Sequence, residues 1–226
     1  MIILVVTNSS NYLPIFINVK GLKVLVVGGG LVGSRRAIKL AKAGADVTVI
    51  SLEFSKELES LKDSLNIKTM KSDAKELNKE FLSQFDLIFA CTNNVKINNQ
   101  ICEMARSLGK LCNNTLDANL SSFILPIYYE DEDFGIAVTT FGKSSLVAEL
   151  ILNMIREKVI TTDVKNLVRV MGDVKAILKN KINDPKIRHS MYLTIFNDKI
   201  FSQYIYSNNL DLALKRAEEI INGYTK

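Results

Sequence analysis

Histidine is nearly absent from this chain, with His189 the only one in 226 residues. The three cysteines, Cys91, Cys102 and Cys112, have no CxxC spacing, so a preformed zinc or iron–sulfur cage is not expected. They are also too few and too evenly spread to suggest a disulfide framework. No apolar run reaches transmembrane length, and the apolar opening Met1–Val6 lacks the basic stretch and length of a signal peptide. A concentrated Lys/Arg stripe set among aromatic platforms is missing as well, which sets nucleic-acid binding aside. The 29 basic and 24 acidic residues leave a charge of only +5, which suits a lysine-rich surface or the attraction of an anionic ligand. These absences leave a soluble cytoplasmic protein with no membrane partner. Its length suits one large domain, or a medium one with an appendage, and allows a sizeable core.

What the chain does have is Gly28-x-Gly30-x-x-Gly33, placed after the apolar run Val24–Val27 and before a helical pattern. A strand that ends in a glycine turn and opens a helix gathers backbone N–H groups and a helix N-terminus at one point, where a pyrophosphate fits. Gly28 makes the turn, Gly30 lets the backbone of Gly30, Leu31 and Val32 approach the ligand, and Gly33 lets helix and strand pack closely. From Gly21 to about Asp117 strand and helix alternate, as a parallel sheet requires. The strands read as 24–27, 46–50, 67–70, 86–90 and one beginning at 111–113, with helices over 34–43 and 95–108. Segments 122–128 and 134–140 then read as a hairpin around the acidic turn Glu130–Asp133. Helical periodicity follows to the end, over roughly 145–159, 163–178, 185–196, 198–207 and 211–221. The expected fold is α/β: a Rossmann-type domain over 1–117, a hairpin section over 118–150 and an all-helical domain over 151–226.

In such a sheet ligands bind beyond the carboxyl ends of the strands. At the end of the second strand, Ser51 holds the place where an acid binds the adenosine ribose of NAD, and Glu53 lies slightly beyond it. The preference for NAD over NADP is therefore modest. Thr92 and Asn93 end the fourth strand, where short polar side chains bond a ribose or cap the next helix. Asp117 follows the fifth strand; by position alone it reads first as a turn residue and second as a base. Lys143 and Ser144 precede a helix and suit either an anion or a simple cap. Arg35 and Arg36 are either solvated or turned toward a 2′-phosphate or acidic substrate. His189, beside Arg188, reads as packing or surface.

Together these pieces resemble the precorrin-2 dehydrogenase family, also called the siroheme synthase N-terminal module. The resemblance covers nearly the whole chain. It runs through Leu13-Pro14-Ile15-Phe16, the glycine turn and its helix, the ACTNN segment with Asn98, Asn114-Thr115-Leu116-Asp117, Ser122–Pro126 and Thr140–Ser145. Leu146 stands where the family has proline. The resemblance implies NAD-dependent oxidation of precorrin-2 to sirohydrochlorin, with ferrous iron insertion to siroheme in some members. It implies a homodimer built through the hairpin section, Asp117 as the functional aspartate, and Asn114, Lys143 and Ser144 near the tetrapyrrole. The alternative is a non-catalytic NAD-sensing regulatory domain, which needs the glycine turn but neither the hairpin nor Asp117.

Overall fold

A computed structural model describes residues 11–224. The apolar opening Met1–Val6 lies outside the described residues. The first part of the chain runs β1 (Lys23–Gly29), α1 (Leu31–Lys42), β2 (Asp46–Phe54), α2 (Lys56–Leu61), β3 (Lys68–Lys71), α3 (Lys79–Ser83), β4 (Leu87–Ala90), α4 (Val95–Ser107) and β5 (Leu111–Asn114). The strands form one parallel sheet in the order β3-β2-β1-β4-β5. β1 is central and buried on both faces, which is why it reads as an unbroken apolar run rather than an alternating one. Its side chains divide by the two-residue period of a strand. Val24 and Val26 pack beneath α1 with Val47, Val49 and Phe89, whereas Leu25 and Val27 pack with Ile88, Ile101 and Ala105 on the opposite face.

Several details differ from the sequence expectation. β2 runs on to Phe54, four residues beyond Ile50, because Gly29 has no side chain to keep it away. A Cβ on Gly29 would stand 2.5 Å from the carbonyl oxygen of Glu53 and 2.7 Å from the Phe54 ring. The short helices α2 and α3 were not anticipated, although each has a capping side chain: Ser55 accepts from Leu58 N–H (3.2 Å) and Asn78 from Phe81 N–H (2.9 Å). Cys102 on α4 and Cys112 on β5 are disulfide-bonded, with their Cα atoms 5.4 Å apart, and Cys91 is free. The sequence offers no framework pattern because this is a single local bridge, made where α4 turns back through Gly109 onto its own strand.

The chain divides into two compact units between Leu125 and Pro126. In the second, β6 (Ile127–Glu130) pairs antiparallel with β7 (Gly135–Val138), and α5 (Ser145–Lys158), α6 (Thr162–Lys181), α7 (Pro185–Phe196), α8 (Lys199–Tyr206) and α9 (Leu210–Tyr224) follow. The hairpin thus groups with the helices. Its first strand is shorter than the apolar run suggests because residues 122–123 bond β5 instead: Ser122 N–H donates to the Cys112 carbonyl (2.7 Å), and Asn113 Nδ2 donates to the Phe123 carbonyl (2.8 Å). The helical core gathers Val170, Val174, Leu178, Ile195, Phe201 and Ile221. Among the described residues no helix is long and apolar enough to cross a membrane.

The acidic turn is fastened to α6. Asp131 accepts from Lys165 Nζ (2.5 Å) and Tyr129 Oη (2.6 Å), while Asp133 accepts from Arg169 Nε (2.7 Å). The bond from Lys165, more than that from Tyr129, holds the Asp131 carboxyl well below the usual carboxylate range. A depressed pKa contributes stability that is complete above the unfolded value of about 4 and fades as pH falls below it. The substitution Asp131→Asn is expected to lower stability at neutral pH and to shrink the gap to wild type on acidification. Acid titration followed by circular dichroism checks this; parallel curves for the two proteins count against the clamp.

Candidate active site

Because all five strands of the first unit are parallel, their carboxyl ends share one edge. In spatial order that edge carries Lys71 (β3), Ser51 (β2), the glycine turn (β1), Thr92 and Asn93 (after β4) and Asp117 (after β5). Chain order reverses between β1 and β4, the switch point where open α/β sheets hold ligands. The backbones there come close: a Cβ on Gly28 would lie 2.6 Å from the Cys91 carbonyl oxygen, and Gly28 has φ +114°.

Gly33 is constrained more severely still. A Cβ there would meet the Gly28 carbonyl oxygen at 1.9 Å, so α1 can begin against the strand end only with glycine at this position. Gly30 is different. Its φ of −73° suits any residue, and a Cβ would meet nothing within 4 Å. Nothing in the fold therefore demands glycine at 30, and the space that a side chain there would fill is open. Gly30 offers the first turn of α1 no side-chain cap, and no acidic residue stands in that turn. The first-turn residues Leu31 and Val32 are exposed and their helix end carries no side-chain cap, which suits pyrophosphate binding. The residues present fit a dinucleotide.

Serines brace this turn from behind. Ser34, fully buried, donates to the Gly29 carbonyl (2.8 Å) and accepts from Ser55 Oγ (2.8 Å), tying the start of α1 to the start of α2. After β4 the brace is an amide. Buried Asn98 accepts from both Thr92 N–H (3.2 Å) and Thr92 Oγ1 (2.6 Å), and donates to the Thr92 carbonyl (3.1 Å). The Thr92 side chain is therefore committed to shaping its own loop. Asn94 rather than Thr92 caps α4, accepting from Ile97 N–H (3.2 Å), and Asn93 is exposed between them.

Asp117 is set by Asn114. The Asn114 side chain, 4% exposed, accepts from Leu116 N–H (3.0 Å) and Asp117 N–H (3.1 Å) and donates to Asn99 Oδ1 (2.8 Å). Its polar atoms are occupied in holding the loop. Thr115 anchors that loop to the end of β4 through the Ala90 carbonyl (3.1 Å). Asp117 itself is half-buried. One of its oxygens accepts from Asn119 N–H (3.0 Å), and the other has no partner among the described residues.

Arg36 is engaged rather than solvated, and its role was not anticipated. Its guanidinium donates to Asn113 Oδ1 and lies over the Phe89 ring, 5.5 Å from its centroid. Burial lowers its pKa. The same burial pushes the neighbouring Cys91 thiol up to about 11. Through Asn113 and Phe123, whose ring meets Phe89 edge-on at 5.3 Å, Arg36 secures the chain as it leaves Asp117. Arg35 is exposed. Lys143 and Ser144 lie in the second unit, where Ser144 caps α5 by accepting from Val147 N–H (3.2 Å) and Lys143 is exposed. His189 is exposed on α7.

The first unit is an NAD(P)-binding domain: a family model described as "Putative NAD(P)-binding" matches residues 15–127. More narrowly, the chain belongs to the precorrin-2 dehydrogenase family. It is 31% identical over 196 residues to a protein of Methanocaldococcus jannaschii named "Putative precorrin-2 dehydrogenase", covering 84% of this chain and 93% of that one. It is 27% identical to a "Precorrin-2 dehydrogenase" of Methanosarcina barkeri, covering 96% and 97% of the two chains. A "Siroheme synthase" of Psychromonas ingrahamii is 30% identical, and there this chain spans 43% of the longer protein. The solved structure of "SirC, precorrin-2 dehydrogenase" has the same fold, with TM-score 0.72 and 19% identity over 92% of this chain and all of that one.

The two glycines predict opposite outcomes. Gly33→Ala is expected to destabilise the fold by about 3 kcal/mol, as overpacking against backbone does. Gly30→Asp should unfold at the wild-type denaturant concentration but bind NAD at least about tenfold more weakly, since its carboxylate meets the pyrophosphate. Denaturant melts and calorimetric titration separate the two; unchanged NAD affinity in Gly30→Asp contradicts the site.

Proposed function

We propose that this chain oxidises precorrin-2 to sirohydrochlorin with NAD as acceptor, and that Asp117 receives the proton. The observation that carries the reading is one sheet edge presenting the glycine turn at its switch point and, two strands away, a carboxylate with one unpartnered oxygen. The adenosine half belongs over β2 and the nicotinamide half over β4 and β5, on the side of Asp117. Bound NAD supplies the acceptor for the two electrons that leave with the substrate's hydride. The remaining proton passes to the unpartnered Asp117 oxygen, which the bond from Asn119 N–H and the Asn114 turn keep in place. Holding the tetrapyrrole against the nicotinamide is the larger share of the work, because the cofactor carries the redox chemistry.

The other assignments in this reading are Leu31 and Val32 N–H on the pyrophosphate, Ser51 and Asn93 on the riboses, and Lys143 and Ser144 on substrate carboxylates. Thr92 contributes through the loop it shapes. The working form is a homodimer in the cytoplasm. The dimer is supported by α5, where Leu146, Leu150 and Met154, one turn apart, are 76%, 58% and 45% exposed beside Val147 and Ile151. Ferrous iron, where it is inserted, is a substrate whose ligands are the tetrapyrrole nitrogens.

The test is an anaerobic assay with precorrin-2 and NAD, followed by the sirohydrochlorin spectrum, with ferrous iron added second. Asp117→Asn is expected to cut turnover roughly a hundredfold or more while leaving NAD affinity near wild type. Full turnover in the folded variant removes the proton-acceptor role. No product from wild type, with NAD bound, favours the regulatory-domain reading.

A further inference from the structure

β2 and β3 run in register from Thr48↔Lys68 to Ser51↔Lys71, so paired residues project from the same face of the sheet. At the amino end of this pair of strands a lysine meets its carboxylate: Lys68 Nζ lies 3.0 Å from Asp46. At the carboxyl end Lys71 has a serine across from it instead. Lys71 is exposed and makes no ion pair among the described residues. Nearby acids are otherwise engaged: Asp73 accepts from Lys75 N–H (3.0 Å) and Glu76 from Ser72 Oγ (2.9 Å). Ser51 follows Val47 and Val49 on the α1 face, and its Cβ lies 3.0 Å from where a Gly29 Cβ would stand. A hydroxyl donor therefore adjoins the glycine turn, and one strand further out, at the end of β3, stands a lysine with no ion pair among the described residues.

This combination is poor at excluding a phosphate. A carboxylate at the end of β2 binds the free 2′-hydroxyl and repels a 2′-phosphate; a serine donates to either. Strand neighbours lie about 5 Å apart, within reach of a lysine side chain. Resting on the reading of the glycine turn as the dinucleotide site, we propose that this chain accepts NADP as well as NAD, Ser51 and Lys71 together taking the 2′-phosphate. Glu53, exposed two residues past Ser51, is the carboxylate that would oppose this.

The test is calorimetric titration of the full chain with NAD and NADP separately, without tetrapyrrole. In wild type the two dissociation constants are expected within about tenfold of each other. Lys71→Ala should weaken NADP about tenfold and leave NAD unchanged. Retained NAD binding itself shows that each variant is folded. Wild type that binds NAD but rejects NADP, with Glu53→Gln relieving the rejection, overturns the proposal. So does a Lys71→Ala variant that weakens both nucleotides equally. Binding of neither nucleotide overturns the dinucleotide reading of the glycine turn, and this proposal with it.

Discussion

The packing of the first turn of α1 against the end of β1 governs this molecule. The Gly28 carbonyl occupies the space that a side chain at 33 would need, so helix and strand meet backbone to backbone. That approach sets the uncapped N-terminus of the helix at the sheet edge. It also brings β4 alongside, where the Cys91 carbonyl lies against Gly28, and leaves room for β2 to run past Gly29. These contacts set how closely β2 and β4 pass the glycine turn.

Neutral amides do most of the remaining positioning. Asn98 shapes the loop after β4, Asn114 the loop after β5, and Asn113 joins Arg36 to the Phe123 backbone. An amide both donates and accepts, so one side chain satisfies several backbone groups that a loop would otherwise leave unpaired. Using amides also leaves Asp117 as the carboxylate of its own loop. The charged contacts at Asp131, Asp133 and Asp198 lie in the second unit, where they join hairpin to helix and helix to helix.

Much of the first unit was legible because its signals are local. An unbroken apolar run, a glycine turn and a helix pattern within about twenty residues specify β1 and α1 without reference to the rest of the chain. Pro185 and Gly109 punctuate helices in the same local way. What was hidden depends on contacts distant in sequence. Arg36 reads as either a surface charge or an anion-facing one until β5 brings Asn113 and β4 brings Phe89 to it. Residues 122–123 read as the start of the hairpin strand, yet they return to bond β5. Gly29, lost among three consecutive glycines, shows its purpose only once Phe54 lies beside it. Asp117 and the glycine turn could both be named from the chain, whereas the brace that holds Asp117 could not.

The proposed arrangement has one sheet edge holding the dinucleotide with its nicotinamide half toward Asp117. A crystal structure of the protein with NAD bound tests it most directly. The pyrophosphate is expected over Gly30 against the N–H groups of Leu31 and Val32, with the nicotinamide beyond β4 and β5. A dinucleotide bound in the opposite sense, or away from the glycine turn, would contradict it.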